Sequence, residues 1–249
     1  MSFASNTESH AWWAALRHEG LLLDESRLRD LFPHAPLPLN AWRADHLRKA
    51  LVTFQATPEE TDARTGLITH LLEQVIGLDQ HCGGIWQRGS AVPADLSHRS
   101  VTGENVKPQH LWTHEGSPSL PVFISPDTRL GVGHGKRTAA RVIEWMRAKQ
   151  HRLALLTNGH QWRIIYAHGD SSAWCESDST QWFLEGQPAP QLDALRLLLD
   201  PRVLLAESGA ATRAVLDIRG GDMELWKHAV DDSMQITTQP KHKGGCQSK

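Results

Sequence analysis

Cysteine is scarce in this chain. Cys82, Cys175 and Cys246 are the only three in 249 residues, they make no CxxC pair, and an odd number cannot close a disulfide framework, so a reducing cytoplasm is the expected setting. Long apolar runs are missing too: none approaches the roughly 18 residues of a membrane-crossing helix, and no membrane partner is expected. Trp12 to Leu16 is too short for the apolar part of a signal peptide, and Asn6, Glu8 and His10 precede it. The 15 histidines include no HExxH; His110 and His114 are the one closely spaced pair that could share a face, and His81 and Cys82 would point apart on a strand, so no metal site is expected. No Ser, His and Asp grouping emerges from spacing, and Cys175 between Trp174 and Glu176 reads as a small core residue. Tyrosine appears once against ten tryptophans, most of them inside helical or strand patterns where they read as core anchors. Neither sign of charge dominates, and a net charge of -2 points to no partner by itself. Hydrophobic residues make up 40%, enough for the core of one large domain or two small ones.

What is present is patterned. Leu153 to Leu156 is a short apolar run suited to a buried strand, Thr157-Asn158-Gly159 is a turn, and Trp162 to Tyr166 is a second strand. Asn-Gly between two such runs predicts a hairpin with a primed turn, where both residues tolerate positive φ. Ahead of it Ala139, Val142, Ile143 and Met146 recur at helical spacing over 138–150. The chain begins helical as well. Ser5 and Glu8 can form a capping box for a helix with Ala11, Trp12, Ala15 and Leu16 on one face. Asp24 can cap a short helix through Leu28, Leu31 and Phe32, and Asn40 a third with Leu47, Ala50, Leu51 and Phe54 on its apolar side. Thr57-Pro58-Glu59-Glu60 reads as N-cap, first-turn proline and N3 glutamate of a helix that carries Leu67, Ile68, Leu71, Leu72 and Val75 to Gly77. Short runs at 91–96, 109–113 and 120–124 read as strands. Residues 174–176 and 181–184 read as further strands or a strand and a turn, and Pro190 opens a last helix with Leu192, Leu195, Leu198 and Leu199 on its apolar side. Thr237 to Lys249 has three lysines and no acid and reads as a flexible basic tail. The expected organisation is a helical N-terminal segment (1–56), an α/β core (57–200) and a C-terminal extension (201–249).

The α-β-β-β-α-β succession from residue 57 onward is similar to the core of the PD-(D/E)XK nucleases, although periodicity alone equally allows another α/β sandwich. Particular residues carry a closer resemblance. They are LALLTNGHQWRIIY from Leu153 to Tyr166, RVIEWMR from Arg141 to Arg147, WFLEG from Trp182 to Gly186, and near the start Ala11-Trp12-Trp13, Glu19-Gly20-Leu21-Leu22-Leu23 and Leu31-Phe32-Pro33. Over roughly residues 8 to 200 the chain resembles the N-terminal region of large bacterial adenine-specific DNA methyltransferases of type IIG restriction-modification and DISARM-like anti-phage systems. The resemblance implies an α/β (α+β) fold, a restriction-endonuclease-like mixed sheet flanked by helices behind a helical N-terminal part. It also implies DNA as a partner, and beside it a defence-system protein or a separate methyltransferase chain. No Asn-Pro-Pro-Tyr and no glycine-rich loop suited to S-adenosylmethionine is present, so the methyl-transferring half of that family is not here.

The nuclease motif of the family fails to match as well. A working site needs an acid and then Glu-x-Lys on the next strand, so that two carboxylates hold a divalent metal, and on the best candidate strand Val122 and Ile124 stand at those positions. The expectation is a DNA-binding domain with no catalytic residue, no metal ligand and no cofactor. Under the alternative of a metal-dependent endonuclease with a rearranged site, Glu73, Asp95 and Asp127 are the candidate acids, Lys136 the cation, and Mg the cofactor. A remnant acting only in protein interaction is a third reading.

The basic stretch is the stronger signal. Between Arg129 and Arg163 eight Lys or Arg stand against one acid, Glu144, and Arg129, Lys136, Arg137, Arg141, Arg147 and Arg163 are the candidate DNA contacts. The bland alternative is a solvated helix face in which Arg141 and Arg147 bridge to Glu144, with Arg163 as an edge-strand charge. Gly131 to Thr138 is no Walker A loop, because Leu130 stands where the first glycine belongs and Arg137 follows the lysine. Three glycines before a helix can still offer N–H groups to a DNA phosphate, with Lys136 alongside.

Overall fold

A run as apolar as Leu153 to Leu156 is stable only where both of its faces are covered, and the structure covers them with a helical layer on each side of one sheet. The computed structural model describes residues 11–19, 32, 37–79, 84–114, 117–201 and 204. The helix expected from Asp24, His81, Cys82 and Cys246, and the basic tail lie outside these residues. In chain order the elements are α1 (Ala11–Ala14), β1 (Arg17–Glu19), α2 (Ala41–Ala56), α3 (Thr61–Thr69), β2 (Gly84–Arg88), β3 (His98–Arg99), β4 (Asn105–Val106), β5 (His110–His114) and β6 (Ser117–Ile124). They continue with α4 (His134–Ala148), β7 (Leu153–Thr157), β8 (Gln161–His168), β9 (Ser171–Asp178) and α5 (Pro190–Leu198).

Seven strands form the sheet in the order β1-β9-β8-β7-β6-β5-β2, and every pairing is antiparallel except β6 with β7. The expected α-β-β-β-α-β succession is α3, β2, β5, β6, α4 and β7, with the small β3–β4 hairpin inserted after β2. The fold is α+β: a mixed, mostly antiparallel sheet flanked by helices. On one face Leu47, Leu51 and Phe54 of α2, spaced to share one side of a helix, pack with Leu67 and Ile68 of α3 and Leu192, Leu195 and Leu198 of α5 over Val122, Leu155, Trp162 and Ile164. On the other, Ala139, Val142, Trp145 and Met146 of α4 cover Phe123, Ala154, Leu156 and Ile165.

Several boundaries differ from the sequence reading. Thr57 caps the C-terminus of α2, not the start of α3: its N–H donates to the Phe54 carbonyl, a tight turn follows, and Glu60 precedes the first residue of α3. The run at 91–96 is not a strand, since Pro93 has no N–H to give a ladder; it forms two short 3-10 turns, Gly89–Ala91 and Ala94–Leu96. Of the two readings for 174–176 and 181–184 the strand with a turn holds: 174–176 lie in β9, and 181–184 continue the 3-10 turn Ser179–Gln181, with Trp182 fully buried. In the hairpin only Gly159 takes positive φ (90°); Asn158 accepts from the N–H groups of His160 and Gln161 through its side chain, so an Asx turn replaces the primed turn. Strand β2 went unread. The N-terminal segment is not a separate unit either, since β1 pairs with β9 and α2 shares the sheet's core. Other expectations hold as read: Asn40 caps α2 by accepting from the Trp42 N–H, Pro190 sits in the first turn of α5, and Gly77 ends the helical run with φ 87°.

Burial lowers the basicity of five histidines, His18, His70, His110, His151 and His160, because a charged imidazolium loses its hydration inside. For His110 burial and then Arg88 bring the pKa down to about 4. The unfolded chain therefore binds more protons than the folded one between about 6.5 and 4, and stability is lost as pH falls through that window. A Tm that drops between pH 7 and pH 5, with a shallower drop in His110→Phe, is the expected result. A flat profile in the native chain would contradict it.

Candidate nucleic-acid interface

The three acids considered for a metal site do not meet. Glu73 lies in the π-helical turn His70–Ile76 that prolongs α3, where its carboxylate accepts from Trp86 Nε1 at 2.8 Å and pairs with Arg88 at 3.2 Å. Asp95 is exposed in a 3-10 turn, and its carbonyl, not its carboxylate, is engaged, by Lys149 Nζ at 2.6 Å. Asp127 lies between β6 and α4 and accepts from the hydroxyls of Ser125 and Thr138, both at 2.7 Å. Burial alone would raise its pKa, but those two hydroxyls with His134 and Arg141 hold its carboxyl below the usual range. Val122, fully buried, stands opposite His110 across the β5–β6 pair, and His110 stacks on Trp86 with ring centroids 5.3 Å apart. The carboxylate reached from this pair through Trp86 is that of Glu73, already matched by the Arg88 guanidinium. These residues do not fit a divalent ion, and among the described residues no three His, Cys, Asp or Glu side chains gather to hold one.

The basic candidates separate into three groups. Arg163 is no surface contact: it is 5% exposed, its Nε and Nη2 donate to Glu176 Oε2 at 2.9 and 2.6 Å, and its guanidinium lies 3.8 Å from the Trp174 ring centroid. Its alternation with apolar residues on β8 put it on the α4 side of the sheet, where Glu176 of β9 is its direct cross-strand partner. Arg147 is exposed in the last turn of α4 and donates to the Asp170 carbonyl, away from the others. Arg129, Lys136 and Arg137 are exposed around the loop that leads into α4, and Arg141 follows one turn on, paired with Glu104. The bridging of Arg141 and Arg147 to Glu144 does not occur, because Glu144 accepts from the Val101 N–H at 2.8 Å and meets His98 Nε2 at 3.2 Å.

Loop and helix meet at a fixed angle. Gly135 is buried so tightly against the Arg129 carbonyl that a Cβ would collide with backbone, so only glycine lets the loop fold back there. The N-terminus of α4 has no side-chain cap and no acid in its own first turn, and the carboxylate beside it is that of Asp127, bonded to the Thr138 hydroxyl. This helix end opens on a cleft of about 280 Å³. Four cationic or imidazole side chains, Lys107, His134, Arg137 and Arg141, line it against two acids, Glu104 and Asp127. The cleft lies at the carboxyl end of β6, where Phe123 and Ile124 and the following Pro126 and Asp127 line it.

Comparison with family models, curated proteins and solved structures finds no match. The site therefore rests on geometry. Of the residues read from the sequence as DNA contacts, the fold brings Arg129, Lys136, Arg137 and Arg141 to one end of α4. Lys107, Glu104 and Gln109 were missed, because the β3–β4 hairpin and the start of β5 reach this cleft only through the tertiary fold. His134 was within reach, standing inside the glycine-rich stretch beside Lys136.

Proposed function

We propose that the chain is a DNA-binding domain with a nuclease-like fold and no cleavage of its own, working with a methyltransferase of a bacterial restriction or anti-phage system. The observation that carries this reading is the convergence of Arg137, Arg141, His134 and Lys107 on the cleft at the uncapped N-terminus of α4, with Arg129 and Lys136 exposed at its approach. Guanidinium and ammonium groups gathered beside a helix N-terminus suit phosphate oxygens. The endonuclease alternative loses its support in the scattering of Glu73, Asp95 and Asp127.

Plasmid incubated with purified protein at low salt, with and without Mg or Mn, tests this directly. A gel shift that weakens as salt rises, with the plasmid intact, is the expected result. Metal-dependent nicking that vanishes in Asp127→Ala would restore the endonuclease reading, and no shift at low salt would end the DNA-binding one.

A further inference from the structure

The cleft is small and it already holds two carboxylates of the chain's own, Glu104 and Asp127, the second taken up by the Ser125 and Thr138 hydroxyls. Its volume, about 280 Å³, falls just under the roughly 300–1,000 Å³ of small-molecule sites, room for one unpaired nucleotide and too little for a stacked base pair. Its lining is of two kinds. Val106, Ile124 and Pro126 offer apolar surface above the buried Phe123 and Val142, which suits a nucleobase, and His134, Arg137 and Arg141 offer charge that suits a phosphate. Arg141 is the pivot. Its Nη1 pairs with Glu104, while its Nε is buried and has no hydrogen-bond partner among the described residues. A guanidinium presents five N–H donors in a planar fork, so one carboxylate leaves part of this fork unused. The Glu104 side chain is 54% exposed and follows the turn between β3 and β4, where it can leave Arg141 for solvent at little cost.

We propose that the cleft binds a single unpaired nucleotide whose phosphate replaces the Glu104 carboxylate on Arg141, with Arg137 and His134 around the same phosphate. This rests on the DNA-binding reading and narrows it from duplex backbone to an unpaired nucleotide, met as a strand end, as single-stranded DNA or as a free nucleotide. Glu104 is then a built-in competitor, and the chain binds below its full strength until that carboxylate is displaced.

The test is binding of a fluorescein-labelled oligothymidine, competed by unlabelled oligothymidine, by a blunt duplex of equal length, by thymidine monophosphate and by thymidine. The single strand is expected to compete better than the duplex at equal salt, and thymidine monophosphate better than thymidine. Glu104→Gln is expected to tighten binding by up to about fivefold, by removing the competing ion pair. Arg141→Gln is expected to weaken it by about tenfold, by removing a charge-assisted contact. Opposite effects from the two halves of one ion pair cannot arise from misfolding. Binding of thymidine monophosphate by calorimetry without binding of either DNA would uphold the cleft as a nucleotide site and overturn the DNA reading. Duplex binding as tight as single-strand binding, unmoved by Glu104→Gln, would overturn this inference and leave the DNA reading standing. Binding of none of these probes would overturn both.

Discussion

Replacing Arg129, Lys136 and Arg137 together by Glu is expected to abolish low-salt DNA binding. In weaker variants that neutralise them to Gln, the slope of log affinity against log salt should fall by roughly 3, close to one unit for each lost phosphate contact. The choice of residues follows from the fold. All three are exposed at the approach to α4, and removing them breaks no ion pair in the described residues. Arg141→Glu would be a poorer probe, because it sets a second carboxylate against Glu104 and confounds lost contact with local repulsion. Arg163→Glu would be worse still, since it reverses a charge in the interior. Gel shifts over a salt series measure the effect, and affinity unchanged in the triple Glu variant would remove this face from consideration.

Glu176→Ala is expected to destabilise the fold by about 3–5 kcal/mol, the usual cost of leaving one member of a buried ion pair without its counter-charge. In a chain of this size that is a fall in Tm of roughly 6–20 °C. Glu176 is 1% exposed and ties together distant parts of the chain: Oε2 accepts from Arg163, and Oε1 from Arg17 of β1 at 3.2 Å and from Gln161 at 2.9 Å. The other end of the Gln161 amide accepts from the Leu130 N–H at 2.7 Å, so the same network holds the loop that carries Arg129. Replacing both partners with apolar residues, Arg163→Met with Glu176→Leu, should recover much of the loss, because no charge then stays buried alone. Thermal unfolding by circular dichroism reads both, and a single substitution that leaves Tm unchanged would show the pair to be dispensable.

How much of this was legible beforehand depends on the range of the interaction concerned. α2, α4, α5 and the β7–β8 hairpin were readable because their signals are local: Asn40 before an apolar periodicity, Pro190 in a first turn, Asn158-Gly159 between two apolar runs. Thr57-Pro58-Glu59-Glu60 misled for a local reason too. A threonine can close one helix as well as open the next, and α2 packing through Phe54 decided for the former. Strand β2 was missed because Gly84 to Arg88 owes its extension to pairing with β5, and nothing within five residues announces that. For the candidate site, charge density pointed to the loop before α4 and to the helix itself but not to which cations are paired. Arg163 and Arg141 are equally basic in sequence, and only Glu176 and Glu104, 13 and 37 residues away, tell them apart. That Val122 and Ile124 stand where the acid and the lysine of the nuclease motif belong was plain, because identity at a strand position requires no fold to be read.

One pairing also sets the order in which the molecule can be made. Arg17 of β1 sits beside Glu176 of β9, 159 residues later in the chain. The hairpins β7–β8 and β8–β9 close over short loops and can form as soon as they are synthesised, whereas β1 must wait for β9. At about 5–20 residues per second that wait lasts on the order of ten seconds or more on the ribosome. Throughout it, the first strand and its neighbouring Trp12 and Trp13 stay exposed to other nascent chains, so assembly of this sheet runs from its middle outward and finishes with its beginning.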